Sequence, residues 1–184
     1  MRATAAEALA LAAALFGAAA PACADDASDM AGTVAGFYAA YATFHPSDGI
    51  PDAKGRAKYA PFVSPSLEKL LADGARAEEA FAKANKGSPP LLEGDLFTSN
   101  FEGATSYRLG ACDATLKTCK VDLTYDDRSQ NPKDKAVTWT DTVHLAATQD
   151  GWRVDDIGYG ATWAFGNKGL MRDTLASVIR NASE

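Results

Sequence analysis

Histidine is nearly absent from this chain, with two in 184 residues, and cysteine numbers only three. His45 and His144 stand in separate segments. A zinc centre, which draws its ligands from clustered His, Cys and carboxylates, therefore has little to build with. Motifs that carry chemistry are missing too. There is no G-x-S-x-G elbow, no P-loop, no dinucleotide glycine fingerprint and no H-E-x-x-H. The doublets Asp126-Asp127 and Asp155-Asp156 lack the alternating spacing of a calcium loop, and a turn and a bulge account for them. No cofactor and no metal is expected. Basic charge is also short, with 18 Lys and Arg against 24 Asp and Glu and a net charge of −6. That balance argues against nucleic acid or an anionic membrane surface as partner.

No hydrophobic run is long enough to span a bilayer. Ala8–Ala20 is an uncharged stretch of 13 residues, about 20 Å as a helix against a core of about 30 Å. It follows Arg2 and ends in Pro21-Ala22-Cys23-Ala24 before Asp25-Asp26. A short apolar run closed by small residues in an A-x-A pattern reads as a signal peptide over residues 1–24, cleaved after Ala24. A second reading makes Cys23 the lipidated first residue of a lipoprotein. The residue three before it is Ala20 rather than a branched aliphatic, so release as a soluble periplasmic or secreted protein is preferred.

Removing or lipidating Cys23 leaves Cys112 and Cys119, in a compartment where disulfides persist. They flank the polar stretch Asp113–Thr118 between two strand-like runs. A disulfide clasping that hairpin is expected. A six-residue spacer is not the C-x-x-C arrangement that activates a thiol, so the pair reads as a staple.

Residues 25–184 read as one domain, long enough to bury a core of its own. Met30, Val34, Phe37, Tyr41 and Phe44 recur at helical spacing, a core stripe on a helix opening at Ala27-Ser28 and ending at His45-Pro46. Ser64-Pro65 reads as an N-cap with proline at the first helical position. Leu67, Leu70 and Leu71 form the inner face, Gly74 interrupts, and a further helix runs to Lys86 around Phe81. The second half changes period. Ser106–Cys112 and Cys119–Tyr125 form a hairpin, and Val137–Thr148 alternates apolar and polar. An Asp150-Gly151 turn leads into Trp152–Tyr159. That last strand keeps Ile157 and Tyr159 on the inner face only with a β-bulge at Asp155-Asp156, which puts Ile157 opposite Leu145. An amphipathic helix over residues 169–181 closes the chain. Helices followed by antiparallel strands give an α+β fold, with helices packed on one face of a strongly curved sheet and a short C-terminal helix.

The segments Phe37–Tyr41, Phe62–Leu71, Gly94-Asp95-Leu96-Phe97-Thr98, Gly151–Ile157 and Leu170–Leu175 occur in this order. That succession resembles the domain-of-unknown-function 3828 family (DUF3828), exported bacterial proteins with a fold similar to nuclear transport factor 2. Leu96 stands where the family often has proline. The resemblance implies a cone, a bent sheet wrapped on helices with a pocket at its wide end. It implies no established activity.

Asp141 shares its strand face with Val137, Trp139, Val143 and Leu145. A carboxylate among apolar side chains must be paired, hydrogen-bonded or protonated. If Cys112 faces Cys119 with no irregularity, Arg108 faces Leu123 and points to the same side. Arg108, Tyr41, Trp139 and Asp141 are thus the candidate lining of a pocket. A wet or purely structural Asp141 is the plainer alternative and the preferred one. Two functions follow from this. One is a non-catalytic module that binds a protein or small molecule in the cell envelope, with a homodimer through the sheet as an added possibility. The other is an isomerase- or dehydratase-like cone enzyme with Asp141 as general base. An Arg108 partner would lower the pKa that a base needs raised, which favours binding.

Overall fold

A computed structural model describes residues 22–43 and 49–183, the first three as backbone only. The expected signal segment through Pro21, Phe44 of the apolar stripe and the expected His45-Pro46 helix end lie outside the described residues. Four helices and four strands follow in order: α1 (Ala22–Tyr41), α2 (Ala53–Tyr59), α3 (Pro65–Ala84), β1 (Ser106–Asp113), β2 (Thr118–Tyr125), β3 (Val137–Thr148), β4 (Gly151–Gly158) and α4 (Met171–Asn181). The strands form one open antiparallel sheet in the order β1-β2-β3-β4. The fold is α+β, as its two periodicities imply.

The helical stripe is the core. Met30, Val34, Phe37 and Tyr41 are buried, joined by Tyr38, and α1 reaches β1 at one side of the sheet and β4 at the other. The strand alternation is equally plain. Val121 and Leu123 of β2, Trp139, Val143 and Leu145 of β3, and Val154 and Ile157 of β4 all point inward. Helix α1 starts at Ala22, earlier than Ala27-Ser28.

Helix α3 begins as its sequence indicates, with the Ser64 hydroxyl accepting from Leu67 N at 2.9 Å ahead of Pro65. It does not break at Gly74. A Cβ there would sit 3.0 Å from Ile50 Cδ1 and 3.1 Å from Leu175 Cδ2, so the glycine makes room for α4 and the helix continues through it. Helix α2 has no counterpart in the sequence reading, which assigned no element to residues 52–63. Asp52 caps it by accepting from Gly55 N at 2.7 Å, and Tyr59 is its one buried residue. With so little apolar surface it leaves no periodic signal.

Cys112 and Cys119 face each other across the first hairpin and are bonded. The β1–β2 and β3–β4 pairs each carry one irregularity, whereas β2–β3 pairs without a shift. In β1 the register shifts between Leu109 and Cys112, so Leu109 faces Val121 and Arg108 faces Asp122. In β4 the shift falls at Asp155, as anticipated, but the pairing is displaced: Val154 faces Leu145 and Ile157 faces Val143. The cause is the turn. Thr148 faces Gly151, so Gln149-Asp150 form the loop, and Gly151, with φ of +98°, already belongs to the strand. Bulges of this kind bend and twist the strand that holds them.

The Asp155 bulge also ties three elements together. Its carboxylate accepts from the Ser64 hydroxyl and from Arg172 at 3.2 Å. The next residue, Asp156, is buried opposite His144 and accepts from Arg172 N at 3.1 Å, capping the first turn of α4 from the sheet. Leu170, at the cap position itself, offers no side-chain bond. His144 is half-buried rather than open to solvent.

Candidate functional site

Residues 85–105 contain no helix or strand. Irregular connections of this length are uncommon unless they serve a purpose. Here Leu96, Phe97, Thr98 and Ser99 are fully buried and Asp95 is nearly so. The Phe97 ring packs 4.8 Å from Tyr59, 5.4 Å from Phe37 and 6.4 Å from Tyr41. The segment is a plug, inserted where the sequence reading placed a pocket.

Three of the four residues expected to line that pocket hold the plug instead. Tyr41 donates its hydroxyl to the Asp95 carboxylate, and its oxygen accepts from Ala104 N at 2.8 Å. Asp141 is wholly buried and takes four donors. Its Oδ2 accepts from Ser99 N at 2.8 Å and from Trp139 Nε1 at 3.1 Å, and its Oδ1 from Gly160 N at 2.8 Å and from the Ser99 hydroxyl. Gly160 reaches it only because it is glycine, since a Cβ there would lie 2.0 Å from Thr140 O. Arg108 is elsewhere. The β1 irregularity turns it to the outer face, where it is exposed and pairs with Asp122 at 2.6 Å. The expected Asp141–Arg108 pair does not form.

The central residue that sequence reasoning missed is Asp95. Its Oδ1 accepts from Phe97 N and its Oδ2 from Thr98 Oγ1 at 3.2 Å, besides Tyr41. Burial dominates these favourable donors and pushes its pKa up from 3.8 to about 7. Burial and the nearby Asp95 carboxylate raise the Tyr41 phenol. Asn167 completes the frame, its amide donating to Asp95 O and Thr98 O at 2.7 Å each. A clue was present in Gly94-Asp95-Leu96-Phe97, an acid beside two large apolar residues. Outside a helix or strand such a clue has no period to give it a face.

The surface around the plug is open. A cleft of about 620 Å³ lies between the β2–β3 connection and the stretch following β4, with Tyr125 and Trp163 among its walls. The outer sheet face carries polar ladders, with Arg108 and Thr140 both on Asp122 and Lys120 on Thr142. Among the described residues no three His, Cys, Asp or Glu side chains are placed to share a metal ion.

No protein-family model matches the chain, and no curated protein does. Among solved structures it is similar to a protein of unknown function from Bacteroides thetaiotaomicron VPI-5482, at 10% identity and a TM-score of 0.37, covering 73% of this chain and 88% of that one. The bonded cysteine pair fits an exported protein in an oxidising compartment. No described helix is long and apolar enough to cross a membrane.

Proposed function

We propose that this chain is a non-catalytic module of the cell envelope, exported by its signal segment, that binds a protein partner through the surface around its plugged interior. The resemblance to the DUF3828 family and its nuclear-transport-factor-2-like cone belongs to this reading. So does release into the periplasm after cleavage near Ala24.

One observation supports binding over catalysis above the rest. Each Asp141 oxygen accepts two donors from the chain itself. A general base needs a free lone pair within reach of a substrate proton. Asp95 sits near neutrality, which suits an acid or base, yet it is 1% exposed and its donors are the chain's own Tyr41, Phe97 and Thr98. Structural networks perturb carboxylates in the same way. The outer sheet face, with Arg108 paired to Asp122 and Lys120 held by Thr142, is a poor homodimer surface, which moves the partner to the rim.

Photo-cross-linking in intact cells tests the reading. A photoreactive residue at position 163 on the rim is expected to give a discrete adduct, and one at position 140 on the outer sheet face none. Adducts from neither position, or equal adducts from both, would count against a rim-binding module. N-terminal sequencing of exported protein is expected to begin at Asp25.

A further inference from the structure

The rim cleft combines aromatic walls, an apolar margin and uncompensated negative charge. Trp163 is mounted rigidly. Its ring stands perpendicular to that of buried Trp139, with centroids 5.5 Å apart, and its carbonyl accepts from Lys168 Nζ at 2.6 Å. Tyr125 supplies a second, half-buried ring. Phe101, between two lining residues, is 46% exposed, and Phe165, two residues beyond Trp163, is 92% exposed. Isolated surface aromatics are unremarkable, but these four come from three segments that meet at one cleft, Tyr125 and Trp163 lining it and Phe101 and Phe165 within two residues of lining positions.

Three carboxylates choose the occupant. Glu102, Asp127 and Asp134 line the cleft, and none of them is in an ion pair among the described residues. Their fields, after burial, raise the Tyr125 phenol. Lys135 is the one cation among the described lining residues, so the acids outnumber it. Lys168 is spent on the carbonyls of Ala161 and Trp163, and Arg128 on Asp126. The acids are not grouped to hold a metal ion. A spread of carboxylates around aromatic faces suits a larger organic cation, which gains from the ring quadrupole and from charge at several points.

Resting on the rim-binding reading above, we propose that the cleft between Tyr125 and Trp163 binds an arginine- or lysine-bearing segment of a partner protein, seating the cationic side chain on the rings and adjacent apolar side chains on Phe101 and Phe165. The exposed phenylalanines favour a peptide over a free amine, which has no apolar neighbour to place there. The net charge of −6 steers basic partners toward the chain.

The test titrates the disulfide-intact exported protein with a synthetic peptide alternating Arg and Leu, following tryptophan fluorescence. The controls are the same peptide with citrulline for arginine, and spermidine. Binding of the Arg peptide is expected to weaken about tenfold with citrulline and about tenfold in Trp163→Ala. The surface variants Glu102→Gln and Asp134→Asn, which leave the core untouched, are each expected to weaken it about threefold and to flatten its salt dependence. Equal binding of the citrulline peptide, indifference to all three variants, or spermidine binding as tightly as the peptide would overturn the proposal. If these fail while position 163 still gives its discrete adduct in cells, the cationic class is wrong and the rim-binding reading stands. Loss of the adduct as well removes both.

Discussion

Two regions of this molecule set carboxylates among aromatic rings, and they treat them in opposite ways. Inside, Asp95 and Asp141 are sealed from water and supplied with donors by the chain itself. At the rim, Glu102 and Asp134 are exposed, with no ion pair among the described residues. A buried charge that is fully hydrogen-bonded holds structure together, whereas an accessible charge beside an aromatic face is available to a partner. Exposure and saturation, not residue type, separate the two roles.

The contrast makes its largest prediction at Asp141. Replacing it with leucine strands the amides of Ser99 and Gly160, the Trp139 indole and the Ser99 hydroxyl. A loss on the order of 5 kcal/mol, about 15 °C in melting temperature, is expected in thermal unfolding. An unchanged melting temperature would mean the plug is not held there.

Asp95 yields a pH signature. Its folded pKa of about 7 lies above the unfolded 3.8, so between these values the folded state holds more proton than the unfolded state. The contribution of Asp95 to stability is therefore greatest below pH 4, falls as pH rises to 7 and levels off above, by about 4 kcal/mol in all. Asp95→Asn is expected to remove this slope from denaturant midpoints measured across pH 4–8.

Reducing the Cys112–Cys119 bond, or replacing both residues with serine, is expected to cost about 2.5 kcal/mol for so short a loop. The smallest effect belongs to the rim. Glu102→Gln and Asp134→Asn should shift stability by less than about 0.5 kcal/mol. A larger shift in either would erase the distinction between the two regions.

The two hairpins show how far the sequence carries. In β4 the apolar residues are strong enough to demand a bulge, because Ile157 faces inward only with an extra residue at Asp155. That inference holds, although placing the turn one residue late displaced the partners by two. In β1 the run Ser106–Cys112 has no comparable alternation, so its irregularity at Gly110-Ala111 was invisible. That single shift reversed the face of Arg108 and removed it from the site. Tyr41, on the helical stripe, reaches the plug at Asp95, while Trp139 and Asp141, which share a strand face, bond each other and meet it at Ser99.

The disulfide, the core stripe of α1, the Ser64 cap, the bounds of β3 and the α+β class were all determined by the sequence itself. Each rests on spacing along the chain, where side-chain period and backbone geometry are tied locally. Only the tertiary structure decided what fills the space between helix and sheet. The 94–105 plug, Gly74 beneath Leu175 and the amide of Gly160 on Asp141 all depend on segments far apart in the chain meeting at van der Waals or hydrogen-bonding distance. Such meetings leave no period to read, because the energy that selects them exists only once the chain has closed on itself.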